Sequence, residues 1–76
     1  MSRIEFGWDG NTLIVIPVMP GLAVKRIEMN KDEIVAFHNW IRGGLLIQEA
    51  FPNWSAGKRE ILISGMNDEE FDLMFK

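Results

Sequence analysis

The chain has 76 residues, 47% of them hydrophobic, with 8 basic against 11 acidic side chains and a formal net charge of −3. That length supports one domain, spanning 1–76, and the absence of cysteine excludes disulfides, thiolate chemistry, Cys-type zinc sites and iron–sulfur clusters. The acidic balance argues against nucleic-acid binding by phosphate neutralisation, which needs a basic face.

The first thirty residues read as three strands. Arg3-Ile4-Glu5-Phe6-Gly7-Trp8 alternates, with Ile4, Phe6 and Trp8 on one face, and predicts a strand over 3–8. Asp9-Gly10 is a hairpin signal, because glycine accepts positive φ without steric cost. A second strand over 12–18 carries the run Leu13-Ile14-Val15-Ile16, apolar on both faces, which implies a central or doubly covered strand. Pro17 cannot donate to a ladder, so the strand end or an unpaired side lies near it. Pro20-Gly21 fits the centre of a type II turn. A third strand over 22–28 loses its alternation at Lys25-Arg26, which implies a bulge or an exposed edge.

Helices follow. Met29-Asn30-Lys31-Asp32-Glu33-Ile34 and Met66-Asn67-Asp68-Glu69-Glu70-Phe71 share one helix-start pattern: asparagine at the N-cap and glutamate three residues on. They predict helices over 31–42 and 68–75. Ile34, Phe37 and Ile41 fall on one arc of the first and make its core stripe, with Trp40 off that arc. Gly43-Gly44 ends it, and a short helix over 45–51 stops before Pro52. Ser55 caps a helix over 56–64 closed by Gly65, although Ile61-Leu62-Ile63 reads equally as a buried strand. The last helix buries Phe71, Met74 and Phe75 and leaves Leu73 facing away. The fold class is therefore α+β, a three-stranded antiparallel meander with three or four short helices packed on it.

From Gly43 to Phe75 the chain resembles a family of short uncharacterised proteins of tailed phages and prophages. The matching residues are Gly43-Gly44, Ile47-Gln48, Ala50-Phe51-Pro52, Ser55, Arg59-Glu60, Ser64-Gly65, Glu69-Glu70, Phe71-Asp72 and Met74-Phe75. The chain departs from that pattern at Trp54, usually leucine, at Gly57-Lys58, commonly acidic, and at Phe71, usually tryptophan. The resemblance implies viral origin and no particular activity.

Catalytic and metal chemistry find little support in the residues. His38 has Ile34, Val35, Ile41 and Arg42 at the helical spacings a second metal ligand would need, so it reads as a rim histidine. Asp68, Glu69, Glu70 and Asp72 suit the positive end of a helix and lack the glycine of a calcium loop. Ser2, Ser55 and Ser64 have no adjacent base, and Gly43-Gly44 lacks the lysine of a phosphate loop. Glu49 and Glu60 have no spacing that brings them together, and Asn53-Trp54-Ser55 matches the glycosylation pattern without a secretory signal. No cofactor and no enzyme activity are expected.

Apolar residues are in surplus. Hydrophobic residues and the seven glycines together make up about 57% of the chain, against roughly 45–50% in typical domains. A domain this small buries only about 60% of the surface its unfolded chain exposes. The start of the sequence shows no signal pattern, and no run approaches a membrane span, so a cytoplasmic protein is expected. Trp8, Trp40, Trp54 and Leu73 are the candidate protein-interaction residues, tryptophan being enriched at interface hot spots. The reading is a small non-enzymatic phage interaction protein. It either forms a homo-oligomer or binds and modulates a host or phage protein, for instance a host defence or enzyme. The alternatives are a nucleic-acid accessory protein, with Arg3, Lys25, Arg26 and Arg42 gathered on one face, and a minor virion assembly component.

Overall fold

The computed structural model describes residues 4–75. The hairpin of β1 (Ile4–Asp9) and β2 (Thr12–Pro17) turns through Gly10-Asn11. Gly10 has a φ of 61° and Asn11 a negative one, which fits a type II′ turn, whose twist matches its flanking strands. A third strand, β3 (Lys25–Glu28), pairs antiparallel with β2 and gives the order β1-β2-β3. The expected meander is formed, and the doubly apolar β2 is its central strand.

β3 is shorter than the expected 22–28, and Pro17 supplies the reason. Asp9 and Thr12 close the hairpin as a hydrogen-bonded pair, so Leu13, Val15 and Pro17 turn their backbone groups toward β3. The ladder runs from Thr12↔Glu28 to Val15↔Lys25 and stops. Its next bonded pair would be Pro17 with Ala23, where proline has no N–H to give. No bulge interrupts this register, and β3 is an edge strand. The alternation slips because Lys25, a cation, occupies a position on the same face as Val15 and Ile27.

The helices start where their caps predict. In α1 (Lys31–Ile41) the Glu33 amide donates to Asn30 Oδ1 at 2.8 Å and the Asn30 amide to Glu33 Oε1 at 3.0 Å. It closes through Gly43 (φ 84°), whose amide bonds Trp40 O while the Gly44 amide bonds Asn39 O, a Schellman closure. A single turn, α2 (Ile47–Ala50), leads to Phe51, which is non-helical before Pro52. Ser55 Oγ accepts the Lys58 amide to start α3 (Ala56–Ser64), so Ile61-Leu62-Ile63 is helical. In α4 (Asp68–Phe75) the Glu70 amide donates to Asn67 Oδ1 at 2.9 Å, repeating the α1 cap.

The helices cover a single face of the sheet. Every buried strand residue, Ile4, Leu13, Val15 and Ile27, lies on that face, and Phe37, Phe51 and Leu62 close the core from above. Ile14 and Ile16, on the opposite face, are only half-buried. Three expected core assignments are corrected. Ile41 is 51% exposed, and Trp40 takes its place at the core margin. The cause is the aromatic row on β1: Phe37 meets Phe6 at 5.1 Å and Trp8 at 5.5 Å, both edge to face. Centring α1 on Phe37 turns Trp40 inward, 6.4 Å from Phe6, and Ile41 outward. On α4, Phe71 and Met74 are exposed rather than buried, while the Phe75 side chain lies outside the described residues. Leu73 faces outward as expected.

Gly65 joins the two halves. It closes α3 at a φ of 78°, and a Cβ there would sit 3.2 Å from Pro17 and 3.5 Å from Ile4. Gly65→Ala therefore meets both left-handed strain and crowding, and is expected to cost about 1–3 kcal/mol. In a domain of this size that lowers the melting temperature by roughly 5–20 °C, readable by circular dichroism; an unchanged melting temperature would refute the packing described.

Candidate functional site

The end of the molecule formed by α4 and the β2–β3 connection is held together by polar contacts. Lys25 reaches up from β3, donates to Gly65 O at 2.7 Å and forms an ion pair with Glu70 Oε1. The Lys25 side chain is 10% exposed, well shielded for a lysine. Glu70 Oε2 accepts the Ala23 amide at 3.0 Å, a donor that lies beyond the end of the sheet ladder. Glu70 Oε1 also accepts the Asn67 amide at 3.1 Å, completing the α4 cap. One carboxylate thus ties together β3, the β2–β3 connection and the start of α4. The Lys25 ammonium, then the Ala23 and Asn67 amides, hold the Glu70 carboxyl below the ordinary glutamate value of 4.5.

Around this clasp the apolar side chains stay outside. Val18 and Val24 on the β2–β3 connection and Phe71, Leu73 and Met74 on α4 are all exposed, Leu73 to 84%. No residue of α4 is buried among those described. The helix is docked through its polar side and presents apolar surface to solvent, the reverse of the usual arrangement.

The four candidate residues are thus divided. Trp8, 39% exposed, packs against Phe37 and lies 6.0 Å from the His38 ring. Trp40 is half-buried between Phe6 and Phe37. Trp54 stacks on Phe51 at 4.1 Å, donates its indole N–H to Glu33 Oε2 at 2.9 Å, and has Lys58 Nζ 4.2 Å from its ring centroid. Trp8 and Trp40 share one aromatic cluster with Phe37, Trp54 has its own stack with Phe51, and Leu73 stands apart on α4. Lys25, Glu70, Val18 and Val24 surround Leu73 here and are absent from the sequence-based protein-interaction candidates. The broken alternation at Lys25-Arg26 was the signal for the first.

A groove of about 220 Å³ opens beside Trp54, lined by Asn30, Asp32, Glu33, Phe51 and Asn53 among others. It falls short of the roughly 300–1,000 Å³ of small-molecule sites. Its Glu33 carboxylate is engaged by the Asn30 amide and the Trp54 indole. The Asn30 hydrogen bond lowers the Glu33 pKa against the raising effect of burial, with help from Trp54 and Lys58. Ser55 serves as a helix cap, and the Ser64 hydroxyl donates to Glu60 O and accepts the Met66 amide. Among the described residues no three His, Asp or Glu side chains group as metal ligands. No described helix is long and apolar enough to cross a membrane.

Both shifted glutamates link folding to pH. Their folded-state pKa values lie below 4.5, so the stability they contribute is present above that value and is lost as pH falls through the folded values. The melting temperature is expected to drop on acidification from about pH 5 to below about pH 4. Glu70→Gln should lower it at neutral pH and flatten that acid slope; a slope equal to that of the unmodified protein would show that Glu70 is not clasped.

No family model, curated protein or solved structure matches the chain.

Proposed function

We propose that this chain is a small non-enzymatic protein-binding module, encoded by a phage, that docks a host or phage protein through the apolar end formed by α4 and the β2–β3 connection. The observation that carries the reading is Leu73, 84% exposed on a helix docked by its polar side. Val18, Val24, Phe71 and Met74 extend apolar surface around the same clasp. Aliphatic and aromatic side chains of this kind form the desolvated centre of protein interfaces, where a few residues carry most of the affinity. The phage assignment rests on the resemblance over residues 43–75. Modulation of a host defence or enzyme is the form of activity we favour, because an exposed apolar surface of this kind acts by occupying another protein's surface.

The basic side chains speak against the nucleic-acid alternative. Lys25 and Arg26 sit on opposite faces of the sheet, so they cannot share a phosphate-binding face. Lys25 is bound to Glu70, Arg26 to Asp9 at 2.7 Å, and Arg59 to Phe51 O at 3.1 Å.

Leu73→Asp tests the reading. The substitution lies on exposed surface and is expected to leave the melting temperature within a few degrees of the unmodified protein's. Tagged chains are then captured from phage-infected host cells. A protein retained in comparable molar amount by the unmodified chain should bind Leu73→Asp at least about tenfold more weakly. Equal recovery by both chains, or no protein retained by either, would contradict the proposal.

A further inference from the structure

Exposed charge at the α4 end has one sign among the described residues. The β2–β3 connection, 18–24, contains no charged residue. Lys25, the cation that reaches this end, is 10% exposed and bound to Glu70. α4 has no basic residue over 68–75, and its Asp68, Glu69 and Asp72 are exposed. At about 100° per residue, Glu69 falls about 40° from Leu73 and one turn before it, so the two share a strip of the helix. Asp72 and Asp68 follow on the same side, about 100° and 140° from Leu73. Glu70 lies on the other side, toward the connection whose Ala23 amide it accepts.

Residues four apart on a helix have Cβ atoms about 5–6 Å apart, so a surface that covers Leu73 comes within reach of Glu69. The Glu69 carboxylate has no hydrogen bond or ion pair among the described residues. Enclosing an ionised carboxylate without a counter-charge is costly, and a facing carboxylate repels it. A facing lysine or arginine removes both costs and speeds the encounter. Resting on the reading of α4 as a docking surface, we infer that its partner is a protein with a basic-rimmed apolar patch. Aliphatic or aromatic side chains of that patch cover Leu73, and lysine or arginine side chains at its rim meet Glu69 and its acidic neighbours on α4.

Two helical peptides with the same leucine stripe, flanked by lysine in one and by glutamate in the other, are the probes. In an NMR titration the leucine–lysine peptide should shift the Leu73 methyl and Glu69 amide signals saturably. Its affinity should exceed that of the leucine–glutamate peptide at least about tenfold. Because the whole chain carries net negative charge, the control is an equal reversal elsewhere. Glu28 is exposed on the sheet face opposite to Lys25 and Ile27. Glu69→Lys should weaken the leucine–lysine peptide about tenfold more than Glu28→Lys does. Where Glu69→Lys lowers the melting temperature, Glu69→Gln keeps the side-chain shape and should still weaken that peptide about threefold against Glu28→Gln. No shift of α4 signals by the leucine–lysine peptide, equal affinity of the two peptides, or equal weakening by the variants at 69 and 28 would overturn the inference. Leu73→Asn separates the two readings: if it weakens both peptides while Glu69→Lys changes neither, α4 docks by apolar contact alone and the basic rim is refuted. Binding that Leu73→Asn does not weaken would refute the docking surface itself.

Discussion

Four helices share one face of a three-stranded sheet, and that single apolar layer limits everything the chain can hide. The strand residues that face it are few, and Phe37, Phe51 and Leu62 already fill the space above Leu13 and Val15. The opposite face, where Ile14 and Ile16 are half-buried, carries no buried strand residue among those described. α1 and α3 contribute Phe37 and Leu62 to that layer, while no described residue of α4 is buried in it.

The fastening of α4 follows from that shortage. Pro17 ends the β2–β3 ladder one pair early, and beyond that end Glu70 accepts the Ala23 amide together with the Lys25 ammonium and the Asn67 amide. A cap residue thereby becomes a long-range tie between β3 and the end of the chain. Charge-assisted bonds of this kind are short-range and directional, so they orient the helix without requiring burial of Phe71, Leu73 or Met74. Surface that a larger domain would enclose is left exposed.

The elements were legible because their signals are local. Asn30 with Glu33, Asn67 with Glu70, Ser55 with Lys58, and glycines 10, 43 and 65 each act within five residues, and each was readable from the neighbouring letters. Tertiary choices were less so. Ile41 and Trp40 are separated by one step of helix, and only the aromatic row Phe6–Trp8 on a distant strand decides which turns inward. The early end of β3 was half-written in Pro17, but the destination of the Ala23 amide depends on a carboxylate 47 residues away. The same separation conceals the clasp: Leu73 reads as outward from its own helix, whereas Lys25 and Glu70 gain their roles only when β3 meets α4. The tryptophans drew attention by size, and two of them proved to serve the core margin.

The central claim, that α4 turns its apolar side chains to solvent while a polar clasp holds it, is tested most directly by methyl NMR with a soluble paramagnetic gadolinium chelate, on dilute protein. The account predicts strong relaxation of the Leu73 and Met74 methyls, matching Val18 and Val24, with Leu13 and Leu62 protected. Protection of Leu73 and Met74 equal to that of Leu13 would contradict it.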